Sequence, residues 1–315
     1  MHGTMEIETT RSALMTAHER FWGWEIPVYL FLGGLVAGLM LAASFAVIRL
    51  GRERVTRAMK IGLAAAPVLL AIGMGSLFLD LTHKTHVYRF YLTLRPSAPM
   101  SLGSWVLMLV FPAQVLLVLA LPFDELARIL DRRAPWLAGI RRFAEQHVNK
   151  LAWAGIGLGV ALGIYTGVLL STTVAHPLWS SGALGFLFLA SGTSTGVAAL
   201  MIGERDAAMQ TRLARADMAL IGAELLVIAM WIVGLVTQGA IYRRAAELVL
   251  TGPYAPAFLG FVVFGGLLVP LGLEGLALKG KALHSRAVPA LVLGGGLILR
   301  FVLVYAGQDV EFVVG

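Results

Sequence analysis

The chain has 315 residues, of which 58% are hydrophobic and only 14% charged. A soluble domain carries about a quarter charged residues, so the composition excludes that class and points to a polytopic membrane protein. The formal charge of +7 is no nucleic-acid footprint, because the basic residues gather between apolar runs. With no cysteine the chain offers no disulfide, thiolate metal site or Cys-ligated iron–sulfur cluster.

The segment Met1–Glu25 is polar and acidic before any apolar run, the reverse of a cleaved signal peptide. His18, Glu19, Trp22 and Trp24 stand at the entrance to the first run, where the tryptophans suit an interfacial aromatic belt. Apolar runs then cover Ile26–Ile48, Ile61–Leu81, Leu102–Pro122, Leu151–Ser171, Ala183–Gly203, Asp217–Gly239, Pro256–Leu278 and Val288–Ala306. Each is long enough to span a bilayer at about 1.5 Å per residue. A backbone in lipid must satisfy its own hydrogen bonds, so helices are the economical reading. The expectation is an all-α integral membrane protein with eight transmembrane helices in two four-helix bundles. YLFLGGLVAGLMLA in the first run is echoed by FLFLASGTSTGVAAL in the fifth. The echo predicts pseudo-repeat halves, 1–171 and 183–315.

The loops after spans one, three, five and seven hold 17 of the 25 Lys and Arg, among them Arg49, Arg52, Arg132, Arg133, Arg212 and Arg286. By the positive-inside rule those loops are cytoplasmic and both termini lie outside. The stretch Phe123–Lys150, with mixed charges around Trp136 and Phe143, reads as an amphipathic connection on the inner surface. Glycines in spans one, four, seven and eight read as packing sites that let helices approach closely.

Ionisable groups inside spans are functional candidates by default. Glu224 falls about two turns into span six, Glu274 lies near the same face in span seven, and Glu204 closes span five there. With Ser191, Thr193, Ser194 and Thr195 of span five they form a candidate proton path from the cytoplasm. Arg300 in span eight needs an anion, for which Asp80 is the expected partner and Asp309 or Glu311 the plainer choice. All seven histidines fall in loops or at span ends, which argues against a transmembrane haem pair.

The densest chemistry is LDLTHKTHVYRFYLTLRPSAPMSLGSW, Leu79–Trp105, at the outer side of spans two and three. It packs Asp80, His83, His86, Tyr88, Arg89 and Arg95 close together. This stretch, WEIPVYLFLGGLVAG (Trp24–Gly38), FLFLASGTSTG (Phe186–Gly196) and GGGLILRFVLVYAGQ (Gly294–Gln308) resemble the NrfD family, membrane subunits of the polysulfide reductase type. Ala98 stands where serine is expected in the element Ala98-Pro99-Met100-Ser101.

The resemblance implies a quinone-reactive anchor of a multisubunit respiratory oxidoreductase in the inner membrane, free of haem and metal. It implies a ferredoxin-like partner with [4Fe–4S] clusters on the outer face and a molybdenum-bisPGD catalytic subunit beyond it. A menaquinone or ubiquinone would bind near the outer surface. Both its oxygens need hydrogen-bond partners, and its turnover needs groups that exchange protons. The candidates are His18, Asp80, His83, Tyr88 and Ser101, with Gln114 after them, while Arg89 and Arg95 would hold the partner. The rival reading is a secondary transporter, which would place ion-binding groups on broken helices at the midplane.

Overall fold

The computed structural model describes residues 22–81, 99–172, 176–280 and 286–310. Among these it is helical, with no strand, and eight of its helical spans are long and apolar enough to cross a membrane.

The first half contributes α1 (Glu25–Leu50), α2 (Arg57–Asp80), α3 (Pro99–Ala120) and α6 (Val148–Ser171), with the short α4 (Asp124–Arg133) and α5 (Ala138–Gln146) before α6. The second contributes α7 (Ala183–Gly203), α8 (Ala207–Thr237), α9 (Ala240–Leu250), then π1 (Pro256–Leu268) running straight into α10 (Val269–Leu278), and finally α11 (Ala287–Gln308). Both ends of the described chain lie on one face, called here the terminal face. The opposite face carries the arginine-rich turns.

Local chemistry explains where these helices start and stop. Gly51, at φ 85°, ends α1 in a conformation that a side chain would oppose, and the Thr56 hydroxyl caps α2 by accepting from the Met59 amide. Asp206 caps α8 by accepting from the amides of Ala208 and Met209. That cap starts α8 ten residues before the predicted boundary at Asp217. Hydropathy ends at the arginines, whereas helix propensity through AAMQTRLARA does not.

The amphipathic α9 is a further difference, since no apolar run announces it. Gly239, at φ 130°, turns the chain out of α8 and into it. The predicted surface connection is α4 and α5, joined by Arg141 to Asp131 at 2.8 Å and to Glu145 at 2.9 Å. Trp136 and Phe143 there remain exposed.

Packing falls into α1 with α2 and α6, α2 with α3, and α3 with α6; and into α7 with α8, α8 with α10, and α11 with both α7 and π1. The two sets are joined by α6 against α7, by α1 against α11 and, most extensively, by α1 against α7. Their seam is glycine on glycine: a Cβ on Gly192 would lie 2.8 Å from the Gly34 Cα, and one on Gly38 would lie 2.9 Å from the Gly196 Cα. Van der Waals contact at this range drives helix association where lipid removes the hydrophobic incentive. The wide turns of π1 end just before Pro270, which has no amide proton to continue an α-helical ladder.

Candidate functional site

Two polar regions stand out in an otherwise aliphatic interior. The deeper is a row of buried groups on α7, α8, α10 and α11. Arg300 of α11 is fully buried, and its Nη1 donates to the Ser191 hydroxyl at 2.5 Å and to the Gly296 carbonyl at 2.9 Å. Its guanidinium lies 5.0 Å above the Phe188 ring, in room left by Gly34 and Gly296. Its Nε and Nη2 have no protein partner among the described residues. Glu224 of α8, also buried, lies near the same Ser191 hydroxyl and near Arg300 without forming an ion pair with it.

Seven residues earlier on α8, and so on the same face about 10 Å away, Asp217 accepts from the Ser194 hydroxyl at 2.6 Å. The other oxygen of Asp217 and both oxygens of Glu274 are buried without a hydrogen-bond donor, and the two carboxyl groups neighbour each other. Ser191 beside Glu224 and Ser194 on Asp217 thus stand three residues apart on one face of α7.

Several expectations change here. Arg300 does not meet Asp80, which ends α2 beside Glu25, and Asp309 instead accepts from the Tyr254 hydroxyl. The physical reason is depth: Arg300 sits eight residues inside α11, beyond the reach of a helix end. Glu224 is near the middle of the 31-residue α8 rather than two turns in. The charges expected near the faces thus include a mid-helix group.

Glu204 lies apart from the row. Its carboxylate accepts from the Thr56 hydroxyl and from the amides of Arg205 and Asp206, tying the end of α7 to the start of α2. The Thr193 hydroxyl bonds the Leu189 carbonyl and faces a cleft, and that of Thr195 bonds the Gly192 carbonyl. Ser191, Ser194, Asp217, Glu224, Glu274 and Arg300 are what the fold brings together. Asp217 escapes the sequence reading because it falls at a predicted span boundary. The available signal is its seven-residue spacing from Glu224.

The second region is on the terminal face. Trp179, fully buried, donates to the Leu303 carbonyl at 2.7 Å and stacks with Trp22 and His176, at centroid distances of 5.2 and 4.5 Å. Gln308 fixes Trp22 by accepting from its amide and donating to its carbonyl. This knot joins the entrance of α1 to the exit of α11, and nothing in the sequence pattern singles out His176 as part of it. Ser101, in the first turn of α3, is buried near the same face. His18, His83, His86, Tyr88, Arg89, Arg95 and Glu311 lie outside the described residues.

A family model described as polysulphide reductase, NrfD, matches residues 13–311. The C subunit of the polysulfide reductase of Wolinella succinogenes is 32% identical over 301 residues, covering 91% of this chain and 94% of that protein. Protein NrfD of Escherichia coli is 28% identical over 308 residues, with 91% and 95% covered, and the NrfD homolog of Haemophilus influenzae is 28% identical over 306, with 91% and 94% covered. With matches that run through all eight spans, the chain belongs to the NrfD family of polysulphide reductase membrane proteins.

Proposed function

We propose that this chain is the quinone-reactive membrane subunit of a respiratory oxidoreductase, lying in the inner membrane with its terminal face outward. It would exchange electrons there with an iron–sulfur partner carrying [4Fe–4S] clusters, and through it with a molybdopterin-type catalytic subunit. The observation that carries this reading is the junction of α2 and α3. Asp80 ends one helix and buried Ser101 opens the next, and between them runs the stretch with His83, Tyr88, Arg89 and Arg95.

Oxidation of a quinol gives quinone, two electrons and two protons. Asp80 and Ser101, with His18, His83 and Tyr88, supply groups able to hold both oxygens and to accept those protons. Arg89 and Arg95 are assigned to the partner. Halves 1–171 and 183–315 are read as two related four-helix units meeting at the α1–α7 glycine seam.

The buried row extends the reading to protons. Two facing carboxylates have no donor between them, so a proton held by Asp217 or Glu274 makes their hydrogen bond. Ser194 and Ser191 then link that pair toward Glu224 and Arg300. A carboxyl row threaded by hydroxyls is a ladder for proton exchange, and its interior position is costly unless used.

The test is binding of a fluorescence-quenching quinol analogue to the purified complex. Asp80→Asn and Ser101→Ala are expected to weaken binding at least tenfold with the complex still assembled. Unchanged affinity in both variants would move the quinone elsewhere. For the proton ladder, Glu224→Gln in proteoliposomes is expected to keep electron transfer to the partner while abolishing pH change across the membrane, and an unaltered pH change would remove Glu224 from the path.

A further inference from the structure

We propose that the cleft between α1 and α8, opening on the arginine-rich face, binds one anionic phospholipid. α1 and α8 both pack against α7 and hardly against each other. The gap is a cavity of about 620 Å3 floored by Val197 of α7. Its walls are apolar, and the small side chains of Ala46 and Ala216 keep it open. The one hydroxyl on its floor, that of Thr193, is already bonded to the Leu189 carbonyl and asks nothing of a ligand.

Length and charge identify the occupant. Inward from its arginines the cleft runs from Arg49 to Leu41 along α1 and from Arg212 to Leu220 along α8, with Leu50 and Met209 lining it beyond them. Each path is eight residues, about 12 Å at 1.5 Å per residue, close to the hydrocarbon depth of one leaflet. Arg49 and Arg212 both line it toward the arginine-rich face, at headgroup level. Neither forms an ion pair with a described residue. The Arg49 guanidinium instead lies over the Phe45 ring, 6.0 Å from its centroid, at the edge of the cleft.

A neutral quinone would fill the apolar depth and leave both cations without a counter-ion. An acidic peptide would answer the cations and not the depth. A phospholipid answers both, with its phosphate between the arginines and an acyl chain along Val197. The lipid would then bridge α1 and α8 on the face where the protein itself leaves them apart. This site is on the face opposite the junction of α2 and α3, so it stands or falls separately from the quinone assignment.

The experiment is native mass spectrometry of the full-length protein, purified in mild detergent and supplied with equal amounts of dioleoyl phosphatidylglycerol and dioleoyl phosphatidylcholine. One retained phosphatidylglycerol per molecule is expected. The double variant Arg49→Gln/Arg212→Gln should lower its retention about thirtyfold, as two surface arginines would contribute. Ala216→Phe, which fills the cleft and keeps both arginines, should lower it as well, and it decides the matter if the double variant fails to fold. Equal retention of the two lipids overturns the proposal, as does retention unchanged in both variants. Displacement of the lipid by a neutral short-chain quinone would make the cleft a quinone site and overturn it too.

Discussion

Among the described residues the buried polar side chains between α1, α2, α3 and α6 are neutral, Ser44, Gln114 and Thr166 among them, and there Ser44 and both ends of the Gln114 amide go without a partner. Between α7, α8, α10 and α11 the buried polar side chains include Arg300, Glu224, Asp217 and Glu274. Glycine contacts bring helices together in both sets, as at Gly33 against Thr166 and Gly266 against Gly295. An unpaired neutral amide costs a membrane helix little enough to be tolerated. A buried charge needs polar partners or opposite charge nearby, and the second set holds hydroxyls and both signs of charge. One set keeps charge out of its interior, and the other carries charge within it.

The seam that keeps these two regions in register is where the comparison breaks most severely. Gly192→Leu would drive a side chain into the Gly34 backbone and wedge α1 from α7. We expect a cost above about 3 kcal/mol, seen as loss of the monodisperse peak in detergent. Persistence of that peak at wild-type yield would mean the seam carries little of the assembly. Next in size is Arg300→Met, which leaves Glu224 buried beside an apolar group. Losing a cation that stands near Glu224, together with its bonds to Ser191 and Gly296, costs on the order of 3 kcal/mol, measurable as a lowered thermal midpoint. Arg300→Met/Glu224→Gln should recover most of it, and no recovery would show that Arg300 stabilises the fold through Ser191 and Gly296 alone.

These two predictions also mark what is legible in the sequence. The spans are legible because hydropathy is a one-dimensional signal: Ala183–Gly203 and Pro256–Leu278 coincide with their predicted limits. The start of α8 and the whole of α9 are not legible by that signal, since Asp206 and Gly239 act through capping and backbone geometry. Glu224 and Ser191 are visible as polar residues within apolar runs. Their company is not, because Arg300 meets Ser191 and Asp217 meets Ser194 only once α7, α8 and α11 have packed. Knowing which oxygens lack a donor requires three dimensions. The aromatic knot at Trp179 is hidden for the same reason: its partners Trp22, Leu303 and Gln308 are distant in sequence.

A smaller effect on the fold is expected from Asp217→Asn. Asparagine keeps an oxygen for the Ser194 hydroxyl and adds an amide donor toward Glu274, so the hydrogen bond no longer needs a shared proton. Stability should stay within about 1 kcal/mol of the parent, while proton movement coupled to turnover in proteoliposomes is lost. A severely unfolded variant with the parent's proton coupling per surviving molecule would make Asp217 structural and nothing more.

The smallest change belongs to the neutral set. Gln114 is fully buried, and neither its amide nitrogen nor its oxygen meets a partner among the described residues. Leucine is of similar volume and asks for no hydrogen bond, and burying an unsatisfied amide costs about 1–3 kcal/mol in proteins. Gln114→Leu is therefore expected to be neutral or to raise the thermal midpoint slightly, with quinol-analogue affinity unchanged, because Asp80 and Ser101 are untouched. A clear loss of stability would mean that Gln114 is satisfied by a group bound between α3 and α6. Loss of affinity without loss of stability would identify that group as the quinone, and would carry the quinone from the α2–α3 junction into the interior of the first set.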